Sequence, residues 1–372
     1  MRIGVPKEVK VHEYRVGLTP ASVREAVAHG HEVLVETCAA DQIGLSDDDY
    51  RRAGATIAEN AKEVFADADL IVKVKEPQPK ECAMLREGQT LFTYLHLAPD
   101  PKQAKAIMKS GATAIAYETV TSARGGLPLL SPMSEVAGRM AIQAGAHCLE
   151  MEQGGRGMLL GGSAGVAPAN VVVIGGGVAG VNAARMAIGL EAAVTCIDIN
   201  IERLYDLDHR FGASINTIFS TRQAIEDYVL AADLVIGAVL LPGAAAPKLI
   251  TDKLVEAMKR GSVIVDISID QGGCSETSKP TTHAHPSYVT HGVVHYCVTN
   301  MPGAVARTST FALNNATLPF VLALADKGVA GALSADPHLL AGLNVYNGTI
   351  THAAVAEALA ADYVAPASAI GA

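Results

Sequence analysis

Val171-Val172-Val173-Ile174-Gly175-Gly176-Gly177-Val178-Ala179-Gly180 is the stretch that decides the fold of this 372-residue chain. Four apolar, β-branched residues predict a buried strand. The glycines that follow, and then AsnAlaAlaArgMetAlaIleGly at 182–189, predict a tight turn opening a helix. A G-x-G-x-x-G sequence means little alone, but strand before and helix after are the context that phosphate binding needs. Gly175 permits the turn, Gly177 lets the backbone approach a pyrophosphate, and Gly180 lets helix and strand pack closely. The helix N-terminus adds unpaired N–H groups and a positive dipole end. The next strand, ValThrCysIleAsp, ends at Asp198, 18 residues after Gly180. A carboxylate there accepts hydrogen bonds from ribose hydroxyls and repels a 2′-phosphate, whereas nearby Arg203 is a residue that accommodates one; the strand-end position of Asp198 favours NAD.

On both sides of this motif, short β-branched runs alternate with helical stretches. RIGVP at 2–6, EVLVE at 32–36, DLIVKV at 69–74, TLFTYL at 90–95 and TAIAYE at 113–118 precede the glycine motif. VVVIG at 171–175, VTCID at 194–198, INTIF at 215–219, DLVIG at 233–237, SVIVDI at 262–267 and VVHYCV at 293–298 form a second series. Such alternation predicts an α/β protein of two Rossmann-like, doubly wound parallel-sheet domains with an interdomain cleft. The region from Pro302 onward is less strand-like and carries a helical pattern at 310–326. We expect it to return to the first domain, giving residues 1–128 plus 306–372 as a substrate domain and 129–305 as an NAD-binding domain. Chain crossings near 128–135 and 300–308 suit a hinge.

Composition sets the boundaries of function. Hydrophobic residues make up 49% and charged residues 18%, and the net charge is -9 with no basic tract, which argues against a nucleic-acid partner. The six cysteines lie far apart without a CxxC pair, as expected of reduced cytoplasmic thiols rather than a disulfide framework or structural zinc. The start MRIGVPKEVK has no apolar segment of the secretory kind, and the apolar stretch Leu234 to Pro247 is too short for a membrane span. No metal site is expected: His283-x-His285 has no Cys or carboxylate partner at ligand spacing, so these read as loop histidines.

Hydride transfer to a nicotinamide requires an acid/base group and a cationic clamp on the substrate. Arg15, in the polar loop GluTyrArgValGlyLeuThrPro, can hold a carboxylate bidentately. Lys75 ends DLIVKVKEP, with Lys73 as its same-face neighbour and competitor for the role. His96 follows LFTYL, and histidine exchanges protons near neutrality. A faint repeat places two of these groups: AlaAspLeuIleVal at 68–72 echoes AlaAspLeuValIle at 232–236, and the strands opening at Gly88 and Gly261 run to His96 and Asp270. Ligands bind beyond the carboxyl ends of strands in open α/β sheets, so His96 and Asp270 are expected to face one cleft.

MetArgIleGlyValProLysGlu, GluTyrArgValGlyLeuThrPro, ValLysValLysGluPro, TyrLeuHisLeuAla, ProMetSerGluValAlaGlyArg at 132–139, GlyGlyGlyValAlaGly, AspIleSerIleAspGlnGlyGly at 266–273 and ValThrAsnMetProGly at 298–303 occur in this order. Together they resemble the bacterial L-alanine dehydrogenase family over nearly the whole chain. The resemblance implies reversible NAD-dependent deamination of L-alanine to pyruvate and ammonia by a cytoplasmic homohexamer with no membrane partner. It implies His96 and Asp270 as the catalytic pair, without deciding which is the principal base, and Arg15 and Lys75 as substrate ligands. For the cofactor it implies Ser134, Val178, Ala179, Asp198, Arg203, Ser220, Val239, Leu240, Ile267, Asp270, Lys279, Val298, Asn300 and Met301, beside the three glycines. The related alternatives are the NAD(H)-binding component of a proton-translocating transhydrogenase and another amino-acid dehydrogenase of the superfamily.

Overall fold

The computed structural model describes residues 1–239 and 246–371, and the chain divides into two compact units: Met1–Met133 with Ala306–Ala372, and Ser134–Val305. The first unit opens with β1 (Arg2–Val5), β2 (Glu32–Glu36), β3 (Thr56–Ala58), β4 (Leu70–Val72), β5 (Thr90–Thr93) and β6 (Thr113–Ala116). The second holds β7 (Asn170–Ile174), β8 (Ala193–Asp198), β9 (Asn216–Phe219), β10 (Leu234–Gly237), β11 (Val263–Asp266), β12 (Ser287–Thr290) and β13 (Val293–Tyr296). The chain then returns to the first unit with β14 (Leu343–Tyr346) and β15 (Thr349–Ile350).

In the first sheet the order is β15-β14-β6-β5-β4-β1-β2-β3, parallel from β6 through β3 and antiparallel at the β14 and β15 edge. In the second it is β12-β13-β11-β10-β7-β8-β9, parallel except for β12. The doubly wound α/β expectation therefore holds for both units. Strands β4, β5, β6, β10, β11 and β13 are buried along their entire length, as sheets covered by helices on both faces require. The predicted runs overrun the strands by one or two residues at several carboxyl ends, where ladders give way to the loops that carry polar side chains. The first unit reaches Met133, five positions beyond the boundary drawn at 128, because the helix Ser131–Cys148 begins in one unit and ends in the other.

The tail is more structured than its sequence suggested. Its helix Ala306–Ala335, with the 3-10 turn before it, is longer than Leu234–Pro247 and apolar enough by length and composition to cross a membrane. Its polar side chains instead serve the first unit. Buried Asn314 accepts from the Thr19 amide at 2.7 Å and the Ser22 hydroxyl at 3.0 Å, while its Nδ2 donates to the Val16 carbonyl. Thr310 accepts from the Val16 amide. The loop after β1 is thus fastened by residues almost three hundred positions away. All six cysteines are free thiols, with only Cys38 exposed.

The β12–β13 hairpin pairs Tyr288 with His295, whose rings stack at 5.0 Å. His295 is wholly buried: one ring nitrogen lies 3.0 Å from the Val293 carbonyl and must donate, so Nε2, 2.7 Å from the Thr277 hydroxyl, accepts in the neutral ring. Burial lowers its pKa from the ordinary 6.5. The unfolded chain consequently binds the proton first as pH falls, and stability is lost below the unfolded value. The urea midpoint should fall between pH 7.5 and 5.5, and His295→Gln should show a smaller fall; an equal fall in both proteins would reject this titration.

Candidate functional site

Two groups of candidate residues form, one in each unit. In the first, Arg15, Lys75 and His96 all lie where the chain leaves the carboxyl end of the sheet. Strands β1, β4 and β5 are parallel neighbours, so the loops after them are adjacent. Gly17 brings the Arg15 loop against β4, since a Cβ there would meet the Val72 carbonyl oxygen at 2.2 Å. The Arg15 guanidinium is 2% exposed and gripped at both ends by Glu13, Nε to Oε1 at 2.7 Å and Nη2 to Oε2 at 2.6 Å. Nη1 points at Met133 Sδ, 3.1 Å away. Glu13 thereby fixes the plane of the fork.

Burial separates the two lysines that period two could not. Lys73 is 0% exposed, with Nζ 3.0 Å from Glu8 and 2.7 Å from Glu81. Burial alone would depress that ammonium; the two carboxylates outweigh it and hold the group charged. Glu8 also turns Oε1 to the amides of Val74 and Lys75, at 2.7 and 3.2 Å. Lys75 itself is partly exposed, its Nζ 3.8 Å from Glu76. Lys73 is therefore a core ion, and Lys75 is the lysine presented at the surface of the site.

His96 stands in the left-handed region at φ 48°, a conformation that costs an L-residue about 1–2 kcal/mol. Its amide donates to Glu118 Oε1 at 2.6 Å, and the Leu95 amide donates to both Glu118 oxygens at 3.2 Å. Hydrogen bonds to a charged acceptor each contribute about 1.5–3 kcal/mol, enough to offset the strain. The imidazole stacks on the Tyr94 ring at 6.0 Å, and the Tyr94 hydroxyl donates to the Leu129 carbonyl at 2.6 Å. Burial raises the pKa of that phenol, and the nearby Arg15 charge opposes the rise.

In the second unit Gly175 takes φ 100° directly after β7, and Gly177 caps the helix Val178–Gly189. A Cβ on Gly180 would sit 1.8 Å from the Gly175 carbonyl oxygen, which accounts for the third glycine by packing. A Cβ on Gly177 would meet nothing within 4 Å, so open space lies against this backbone at the helix N-terminus. A dinucleotide pyrophosphate fits that cradle. Asp198, at the end of β8, accepts from the Gly176 amide at 2.5 Å and the Asn200 amide at 2.7 Å. The aliphatic stem of Arg203 packs beside Gly176, and its head pairs with Asp206.

The other expected cofactor residues distribute unevenly. Ser220 and Ile267 directly follow β9 and β11, Val239 lies two positions beyond β10, and Asp270 is exposed on the 3-10 turn Ile267–Gln271. Val178 is exposed and Ala179 partly so, in the first turn of the helix after the glycines. Asn300 follows β13, and its carbonyl lies 2.8 Å from His283 Nε2. Ser134 is half-buried on the helix Ser131–Cys148, and exposed Lys279 engages Tyr288 through its backbone amide. Val298 and Met301 are 2% and 3% exposed and belong to the hydrophobic core, so their side chains pack rather than face solvent. Leu240 lies outside the described residues.

Sequence reasoning passed over the frame of the Asp270 loop. Asp266, wholly buried at the end of β11, accepts from the amides of Ser268, Cys274 and Ser275 and from the Ser278 hydroxyl at 2.6 Å. From the other side Lys248 Nζ donates to the carbonyls of Gly272, Gly273 and Ser275. Strand-end position, the signal that singled out His96, also marks Glu118 and Asp266.

Known proteins also divide the chain into an N-terminal and a C-terminal part, but the second part extends past Val305 into the tail that packs with the first unit. Family models described as alanine dehydrogenase/PNT, N-terminal domain and C-terminal domain, match residues 4–137 and 141–353. An alanine dehydrogenase of Halomonas elongata is 62% identical over 371 residues, covering 100% of both chains. A solved L-alanine dehydrogenase is 52% identical with TM-score 0.94, covering 97% of this chain and 99% of its own. A transhydrogenase from Sinorhizobium meliloti, 24% identical with TM-score 0.81 over 95% of this chain and 100% of its own, shares the fold.

Replacing Asp266 by Ala strands three amides and a hydroxyl in the interior. We expect a loss of about 3 kcal/mol in urea unfolding; a loss below about 0.5 kcal/mol would show that water replaces the carboxylate there.

Proposed function

Because this chain belongs to the alanine dehydrogenase/PNT family, we infer that it oxidises L-alanine to pyruvate and ammonia, reversibly, with a nicotinamide dinucleotide. The observation that carries the reading is full-length identity of 62% to an alanine dehydrogenase. Convergence of Arg15, Lys75 and His96 at the carboxyl end of one sheet supports it. NAD rather than NADP is proposed from Asp198, whose carboxylate occupies the ribose-recognition position. We assign the unit with Arg15 to the substrate and the unit with Gly175, Gly177 and Gly180 to the cofactor. Ser134, Val178, Ala179, Arg203, Ser220, Val239, Leu240, Ile267, Lys279 and Asn300 complete the proposed cofactor site, with Val298 and Met301 contributing through their backbone. A cytoplasmic homohexamer serving amino-acid catabolism is proposed on the family likeness.

The chemistry required of the side chains follows. Arg15, its plane set by Glu13, takes the substrate carboxylate, and Lys75 takes the oxygen that becomes the pyruvate carbonyl, so orientation is converted into rate. A nicotinamide dinucleotide held by the Gly175–Gly180 turn and Asp198 would supply the acceptor for the α-hydrogen and its electron pair. The ammonium must first lose a proton, and water must then add to the resulting iminium carbon to give a carbinolamine that expels ammonia. His96 moves the protons of these steps, and Asp270 orients or charge-stabilises the cationic intermediates. Neutral Lys75 is not required: its positive charge offsets the alkoxide character that develops as the carbonyl forms.

The protein should reduce NAD with L-alanine as sole donor. His96→Ala should lower kcat by roughly 10³-fold with the Kd for NADH unchanged. Turnover of hydroxy acids but not alanine, or near-parental kcat in His96→Ala, would overturn the assignment.

A further inference from the structure

We propose that Glu118 is a positioning residue that holds His96 in its left-handed conformation by accepting the two successive backbone amides of Leu95 and His96. The proposal rests on the reading of His96 as the proton-transfer group. Three observations carry it. His96 is one of few non-glycine residues at positive φ, at 48°, and it lies at the carboxyl end of β5 where the chain must leave the sheet. One carboxylate serves both consecutive amides, at 2.6 Å to His96 and 3.2 Å to Leu95. The same peptide is held from its opposite side, where Gln103 Nε2 donates to the Leu95 carbonyl at 2.8 Å.

Consecutive N–H groups point the same way only when the backbone departs from the strand alternation. A single anionic acceptor therefore selects the bent conformation over the extended one. Released from Glu118, residue 96 would relax towards β geometry, and the imidazole would leave its place over the Tyr94 ring. Glu118 is itself set by the parallel pairing of β6 with β5 and by the 3-10 turn Tyr117–Thr119. Asn344 of β14 fixes that turn by donating to the Thr119 hydroxyl at 2.8 Å. The carboxylate also lies 3.9 Å from His96 Nδ1, so charge on the ring is the competing explanation for its presence.

Two conservative variants separate reach from charge. Glu118→Gln keeps a carbonyl oxygen at the same reach and loses the charge. Glu118→Asp keeps the charge and falls one methylene short of the amides. Positioning predicts kcat for alanine oxidation within roughly fivefold of the parent in Glu118→Gln and reduced roughly 30-fold or more in Glu118→Asp, with the KM for NAD unchanged in both. Amide exchange read by mass spectrometry on peptides spanning Leu95 and His96 should be slow in the parent and in Glu118→Gln, and fast in Glu118→Asp. An aspartate variant at least as active as the glutamine variant, or equal exchange in all three proteins, would overturn the proposal. The two ideas fail separately: a parent without alanine turnover defeats the functional reading, while the exchange measurement still reports on Glu118.

Discussion

Where a parallel strand ends, its last amides lose their ladder partners just as the chain must turn, and these groups must be paired or left to water. This protein answers with carboxylates. Glu8 takes the amides of Val74 and Lys75, Glu118 those of Leu95 and His96, Asp198 those of Gly176 and Asn200, and Asp266 those of Ser268, Cys274 and Ser275. Each lies beside a residue proposed for substrate or cofactor. The loops bearing the chemistry are thus shaped by charge-assisted hydrogen bonds to their backbones, and the reacting side chains are left for other duties.

The same economy explains why two lysines two residues apart differ. Lys73 pairs with both Glu8 and Glu81 in the interior, and Glu8 in turn orders the backbone that presents Lys75. Removing Lys73 would leave two carboxylates facing one another without a counter-ion in an apolar setting, the costliest kind of buried defect. Arg15 follows a related logic. Its partner Glu13 stands two positions earlier, so the pair is made within one loop, and the tail helix needs only to hold that loop's backbone through Thr310 and Asn314.

Much of this was legible in the sequence. The β-branched runs located the strands β1, β2, β4 to β11 and β13, because such runs suit a sheet covered on both faces. Strands β3, β12, β14 and β15 escaped, being short, at or beside a sheet edge, and paired through partners distant in sequence or across a turn. Residue type and strand-end position marked Lys75, His96 and Asp198, and a polar loop after the first strand marked Arg15. Choosing between Lys73 and Lys75 needed Glu8 and Glu81, which only the fold brings to them. Glu118 ended a quoted strand and still went unremarked, because a carboxylate whose task is to hold backbone leaves no side-chain motif. Val298 and Met301 lay inside a family motif, yet a motif does not distinguish a contacting side chain from a core one.

The two units differ in continuity along the chain, and this has a consequence for biosynthesis. The unit Ser134–Val305 is contiguous and complete once its last strand leaves the ribosome. The first unit cannot close until much later: β6 awaits β14 as its edge partner, and the Arg15 loop awaits Asn314. The first six of that sheet's eight strands are therefore made first and the sheet is finished last, exposing apolar strand edges while the intervening segment is synthesised and folds. Vectorial synthesis thus sets the period during which chaperones have access to this chain.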